Sequence, residues 1–220
     1  MSTRTLPRPV IELYRKATAC RECFKDCDVQ APTIDIAQPR WIGSGYFNAH
    51  PRVVVVMLNP GSGDGRKDEE DNKALHLLRN FKRAKGTLDA VLTHQGEDME
   101  IWGKGKFVPF YTDALGLSLD DIAFANIAWC GTRGNKYPGK MLKRCFARHT
   151  SKLLELLQPD IVVLSGTGAQ RFRCEIESLA TTPKTISILH FAHRKGRDAE
   201  SSDLRRAKSR IASLRGSKRQ

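Results

Sequence analysis

The sequence predicts an α/β fold, a three-layer α/β/α arrangement on a central, mainly parallel four-stranded sheet. Four short apolar runs rich in branched residues carry that expectation: RVVVVMLN at 52–59, DIAFANIAWC at 121–130, PDIVVLSG at 159–166 and KTISILHF at 184–191. Such runs are what strands buried on both faces require. Between them lie segments of helical spacing. Asn72 to Lys85 places Leu75, Leu78 and Phe81 on one face, and Met141 to Leu157 does the same with Leu142, Cys145, Phe146, His149, Leu153 and Leu156. Alternating strand and helix is the pattern of a parallel sheet covered on both sides.

Composition bounds the rest. The 220 residues are 40% hydrophobic, enough for one sizeable core, and one domain is expected. The longest apolar run, Val53 to Leu58, is far short of the ~18 residues needed to cross a bilayer, and the start MSTRTLPRPV has no apolar stretch of the secretory kind. A monomeric cytoplasmic protein is expected, nucleoid-associated if bacterial, with no membrane partner. Lys and Arg number 37 against 24 Asp and Glu, a formal charge of +13, which suggests a polyanionic partner. Ten of those basic residues against three acids lie between His190 and Gln220, as either a solvated basic face or a phosphate-contacting surface.

In parallel sheets a ligand sits outside the carboxyl ends of the strands, so the strand exits are where chemistry is to be sought. They read Asn59-Pro60-Gly61-Ser62-Gly63, Cys130-Gly131-Thr132-Arg133-Gly134-Asn135, Ser165-Gly166-Thr167-Gly168 and His190-Phe191-Ala192-His193. Asn59 sits in a stiff turn before Pro-Gly and can position a water, although a turn-capping asparagine reads the same. His190 can donate to a substrate oxygen or be a satisfied structural histidine. Asn126, an amide inside an apolar strand, must find partners in the interior or face a pocket.

Cys20 and Cys23, two residues apart, read as a ligand pair, and Cys130 with Cys145 supplies a second. Four thiolates in two pairs suit a tetrahedral zinc or a 4Fe–4S cluster, against the alternative of ordinary buried thiols. Cys27 and Cys174 look spare. Three other motifs fail. The glycines at 61, 63 and 65 lack the third position of a dinucleotide fingerprint, Gly134-x4-Gly139-Lys140 is followed by Met141 where a P-loop needs Ser or Thr, and Ser165 has no Gly two residues before it.

The stretch Asn126-Ile-Ala-Trp-Cys130-Gly-Thr-Arg133-Gly134-Asn135-Lys-Tyr-Pro138, running through Cys145 to Gln158-Pro159-Asp160-Ile-Val-Val-Leu164-Ser-Gly166-Thr-Gly-Ala169, resembles the uracil-DNA glycosylase superfamily. Within it the paired cysteines resemble the iron–sulfur, family 4 and 5-like, branch. Two motifs depart from that branch. Met57-Leu58-Asn59-Pro60-Gly61 stands where G-E-A-P-G is usual and is closer to the G-I-N-P-G of mismatch-specific glycosylases, and His190-Phe191-Ala192-His193 keeps the histidine of H-P-S but not its proline. The distance from Asn59 to Cys130 also implies an insertion around Glu97 to Lys106.

The resemblance implies a uracil-DNA glycosylase-like α/β domain over 1–195, followed by a basic helix or tail over 196–220. It implies hydrolysis of the N-glycosidic bond of uracil or a related deaminated base in single- or double-stranded DNA, as in base excision repair. Asn59 and His190 would be catalytic, Asn59 orienting the water and His190 donating to the leaving base. Asn126 would read the flipped base, Phe107 or Phe110 would stack on it, and Gly61, Gly63 and Gly166 would bring backbone amides to phosphates. Cys20, Cys23, Cys130 and Cys145 would hold the 4Fe–4S cluster, with zinc as the alternative. A DNA-binding member of the same fold with weak or no catalysis is the competing reading, and a zinc-containing RNA-binding factor a more remote one.

Overall fold

Each of the four apolar runs folds as a strand that stops where the chain must turn: β1 (Val53–Met57), β2 (Ile122–Asn126), β3 (Ile161–Ser165) and β4 (Lys184–Ile188). The computed structural model describes residues 4–60, 68–113, 115–193 and 197–216. The strands form one sheet in the order β2-β1-β3-β4, and every pairing is parallel. Among the described residues the helices are α1 (Arg8–Ala19), α2 (Glu22–Asp26), α3 (Asp68–Lys82), α4 (Leu88–Gly105), α5 (Phe107–Tyr111), α6 (Gly139–Cys145), α7 (Ser151–Leu157), α8 (Thr167–Gln170), α9 (Arg173–Glu177) and α10 (Arg197–Gly216).

Alternation along the strands divides the core in two. Val54, Val56, Ala123, Ala125, Val162 and Leu164 join the cluster that includes α1, α3, α6 and α7. Val53, Val55, Phe124, Val163 and Ile186 join the opposite cluster, with Phe107, Tyr111, Ala207 and Ile211. The period of two in strand side chains thus gives the three layers directly. Of the two forms expected for 196–220, residues 197–216 take the helix. α10 buries Ala207 and Ile211, with Leu204 and Leu214 packed beside them, against the sheet, and leaves Arg205, Arg206, Lys208 and Arg210 exposed. No helix among the described residues is long and apolar enough to cross a membrane.

From β1 the chain runs to β2 on one side and later to β3 and β4 on the other. That reversal between β1 and β3 opens a crevice at their carboxyl ends. Two irregular features shape its walls. Residues 38–43 run antiparallel along the outer edge of β2, through Gln38 N–H to Trp129 O at 2.8 Å, Phe124 N–H to Trp41 O at 2.8 Å and Gly43 N–H to Ile122 O at 2.9 Å. This covers the edge of the sheet and carries Arg40 over the end of β2. Between α6 and α7 the helix widens into a π-turn at Phe146–Thr150. Thr150 there donates its hydroxyl to Asn126 O at 2.6 Å and accepts from Trp129 Nε1 at 3.0 Å, which fixes the exit of β2.

Candidate active site

Asn59 follows β1 and keeps an amide side chain where the sheet gives out. Its Nδ2 donates to Asn135 Oδ1 at 2.8 Å and to the Tyr137 hydroxyl at 3.0 Å. Both N–H bonds are therefore spent, and the amide oxygen is the end that can accept from a water. His190 stands two residues beyond β4. Its Nδ1 accepts from Ala192 N–H at 3.2 Å, which puts the proton of the neutral ring on Nε2. Burial, then the neighbouring His193, holds its pKa below the ordinary histidine value, so the ring is neutral at neutral pH and offers one N–H.

Between them lies a cavity of about 590 Å³, whose lining includes Arg40, Asn59, Trp102, Phe107, Asn135 and His190. One wall comes from the segment expected to be an insertion. α4 breaks at Trp102–Lys104, with Gly103 at φ 60° and its Cα against the Phe191 ring; a Cβ there would lie 2.6 Å from Phe191 Cε2. The turn brings Trp102 to the cavity and into edge contact with Phe107, centroids 5.2 Å apart. Phe191 takes the place of the missing proline by packing its own ring against Phe107 at 5.0 Å. The turn behind it closes with His193 N–H to His190 O at 2.9 Å.

Three of the expected site residues sit differently from their expected roles. Asn126 has no exposed surface and does not line the cavity. With its amide oriented as its partners require, its oxygen accepts from Arg40 Nε at 2.6 Å and Nη2 at 3.2 Å, while its NH2 donates to Ala125 O at 3.1 Å. Arg40 and not Asn126 is therefore the member of the pair that lines the cavity. Phe107 lines the cavity but Phe110 does not, its ring turned onto Tyr111 at 4.9 Å. Gly166 spends its N–H on Ile188 O at 2.9 Å and has none left for a phosphate. What it supplies is room: at φ 85°, a Cβ would stand 3.1 Å from that of His190. Gly61 and Gly63 lie outside the described residues. Ser165 is occupied by the Tyr111 hydroxyl at 2.7 Å, a buried structural pair.

Arg40 was missed because it lies in an irregular segment with no periodicity to mark a face. It is 4% exposed, and burial lowers its pKa to about 10, which still leaves it charged at neutral pH. Tyr14 donates to its backbone carbonyl at 2.9 Å, and its guanidinium lies 5.5 Å from the Trp102 ring centroid. Asn135 and Tyr137 were also missed as the holders of Asn59, since contacts spanning 76 and 78 residues leave no local signal.

The four expected ligand cysteines gather at one corner. Cys20 caps α1, Cys23 lies in α2, Cys130 follows β2 and Cys145 ends α6; Cys23, Cys130 and Cys145 are buried. Cys145, Cys23 and Cys20 are all near enough to Cys130 to raise its pKa further, after burial, which is the main cause. Burial likewise pushes Cys23 up to about 11 and Cys145 up to about 12. Arg144 clasps Asp26 through Nη2 to Oδ2 at 2.8 Å and donates to Glu22 O at 3.1 Å, tying α2 to α6. Trp129 N–H points at Cys145 Sγ at 3.1 Å. Among the described residues no three His, Cys, Asp or Glu side chains converge as a single bound ion requires. Cys27 lies beside the Arg144 and Asp26 pair, and Cys174 is exposed.

Compared with known protein families, residues 44–212 match the model described as the uracil DNA glycosylase superfamily. The matched range holds Asn59, Asn126, Cys130, Cys145, Gly166 and His190, and leaves out Arg40, Cys20 and Cys23. No curated protein matches the chain.

Proposed function

From the match over 44–212 the chain belongs to the uracil DNA glycosylase superfamily, and we propose that it hydrolyses the N-glycosidic bond of uracil or a related deaminated base in DNA. The observation that carries this reading is the pair of polar groups facing one cavity: the Asn59 amide, held by Asn135 and Tyr137, and the Nε2–H of a neutral His190. A base extruded from the stack enters the cavity against Trp102 and Phe107, whose rings, in edge contact with each other, supply one apolar wall. As the bond between C1′ and the base nitrogen breaks, both electrons leave with the base. His190 Nε2–H donates to the base oxygen on which negative charge develops. Asn59 accepts from a water and aims its lone pair at C1′. The water loses one proton after adding to the sugar and the departed base gains one, so free base and an abasic site result. An amide cannot take the water's proton as a carboxylate would, and slower chemistry than in G-E-A-P-G relatives is the consequence.

The cysteine corner fits a 4Fe–4S cluster held by Cys20, Cys23, Cys130 and Cys145. Burial disfavours the thiolates of Cys23, Cys130 and Cys145, so they ionise together only around a cationic centre, which the irons of a cluster would supply. Such a cluster would supply rigidity to the exit of β2, whose next residues hold Asn59.

Uracil, hypoxanthine, xanthine and mismatched bases placed in single- and double-stranded DNA, followed by alkaline cleavage of abasic sites, test the reaction. Strand cleavage after incubation with at least one base is expected. DNA left intact in every case, with salt-sensitive binding retained, would leave the non-catalytic reading in its place.

A further inference from the structure

The cavity is electrostatically one-sided. The described residues that line it include Arg40 and Lys104 and no carboxylate. Arg40 is buried, Asn126 holds its Nε and Nη2, and its Nη1 has no hydrogen-bond partner among the described residues. Asn126 is a neutral amide and cannot balance the charge. An uncompensated buried cation is costly unless something anionic completes it. Nothing about sheet packing demands a guanidinium there: the ladder between residues 38–43 and β2 is made by backbone groups, and the guanidinium meets the strand only at the Asn126 side chain.

We propose that Arg40 is a catalytic residue that stabilises the negative charge on the departing base, and that Asn126 is the positioning residue that aims it. This rests on the glycosylase reading and assigns its driving force. With an amide at Asn59 and no carboxylate among the described residues lining the cavity, the barrier is lowered from the leaving-group side. The bond to C1′ breaks with its electron pair passing to the base nitrogen and delocalising onto the ring oxygens. Arg40 and His190 Nε2–H meet that charge, and a solvent proton later neutralises the base. The substrate class that follows is any base that departs as an oxygen-bearing anion, uracil and its oxidised or halogenated forms before adenine or cytosine.

Two measurements on the full-length protein test this. Single-turnover release of 5-fluorouracil, uracil and thymine spans a range of leaving-group acidity. Arg40→Gln should lose about 10²-fold on uracil and distinctly less, about tenfold, on the more acidic 5-fluorouracil, whereas Arg40→Lys should recover part of the loss. A residue of purely structural importance would lower all three rates by one factor, and that result overturns the proposal. In the second measurement the free bases 5-nitrouracil, an anion at pH 8, and thymine, neutral there, are titrated into each protein. Wild type should prefer the anion by about tenfold and Arg40→Gln should show no preference. Equal affinities in wild type, or a preference that survives Arg40→Gln, contradict the assignment. Anion preference that depends on Arg40, with no base released from any DNA, sinks the glycosylase reading and leaves Arg40 as the anion-binding group.

Discussion

The cysteine corner and the base cavity lie at the same end of the sheet, and each is electrostatically incomplete in the opposite sense. The corner gathers thiols whose burial, and then their closeness to one another, makes them resist ionising, an effect that Arg144 and Arg21 oppose without cancelling it. The cavity buries the cation of Arg40 with an amide and no lining carboxylate among the described residues. A single stretch of chain serves both: Cys130 belongs to the corner, while Asn135 and Tyr137, five and seven residues on, hold Asn59 in the cavity. What would complete each differs accordingly. On the reading proposed above, four soft ligands, three of them buried, suit a permanent resident, whereas a cavity with one donor unpaired among the described residues suits a charge that exists only while a bond is breaking.

Loss of the corner's thiols should be felt most. Cys20→Ser with Cys130→Ser should abolish the brown colour and broad visible absorption and, with them, base release. The melting temperature should fall by about 10 °C, on the scale of roughly 3–4 kcal/mol, because the β2 exit loses its anchor. Retained colour in the double variant would refute the ligand assignment.

Next in size is the cavity's own donor. His190→Gln should lower single-turnover release by about 10²-fold and leave the visible spectrum unchanged. The acid limb sharpens this. His190 has its folded pKa below the ordinary value, so the neutral donor persists at and below the usual histidine range, and wild-type activity should be flat through neutrality and fall only in more acidic solution. By the same sign, its contribution to stability is full above the unfolded value and lost as pH drops towards the folded one. His190→Gln should remove that acid limb.

Gly166→Ala separates room from chemistry. Left-handed backbone at φ 85° and a methyl group 3.1 Å from His190 Cβ should cost about 1–3 kcal/mol of stability, read in denaturant unfolding. Base release should drop with it, since the imidazole is displaced. The smallest effect belongs to α10. Replacing Arg205, Arg206 and Arg210 by Gln should weaken DNA binding a few-fold and flatten its dependence on salt, by a slope change of about 3 at most, without altering the rate at saturating protein.

The strands and their exits were legible because burial on both faces leaves unbroken branched runs, and Asn59 and His190 stood out as polar residues where those runs end. The cysteine pairs were legible from spacing alone. Arg40, Trp102 and the Asn135 and Tyr137 support for Asn59 were not. Arg40 lies in an edge segment held by backbone bonds, which leave no side-chain pattern, and Trp102 reaches the cavity only because α4 breaks at Gly103. Asn126 was legible as an anomaly and not as a role, because the partner that satisfies it lies 86 residues earlier in the chain. Gly166 was recognised as special for its freedom, yet the need it meets is the His190 side chain and not a phosphate.

On the proposed reading, the Asn59 and His190 cavity releases a base from DNA. Single-turnover formation of abasic sites by wild type and Asn59→Ala, with visible spectra recorded on the same samples, tests it most directly. Release by wild type, a loss of about 10²-fold in the variant and identical spectra are predicted. Equal rates in the two proteins, or no release by wild type from any deaminated base, would contradict it.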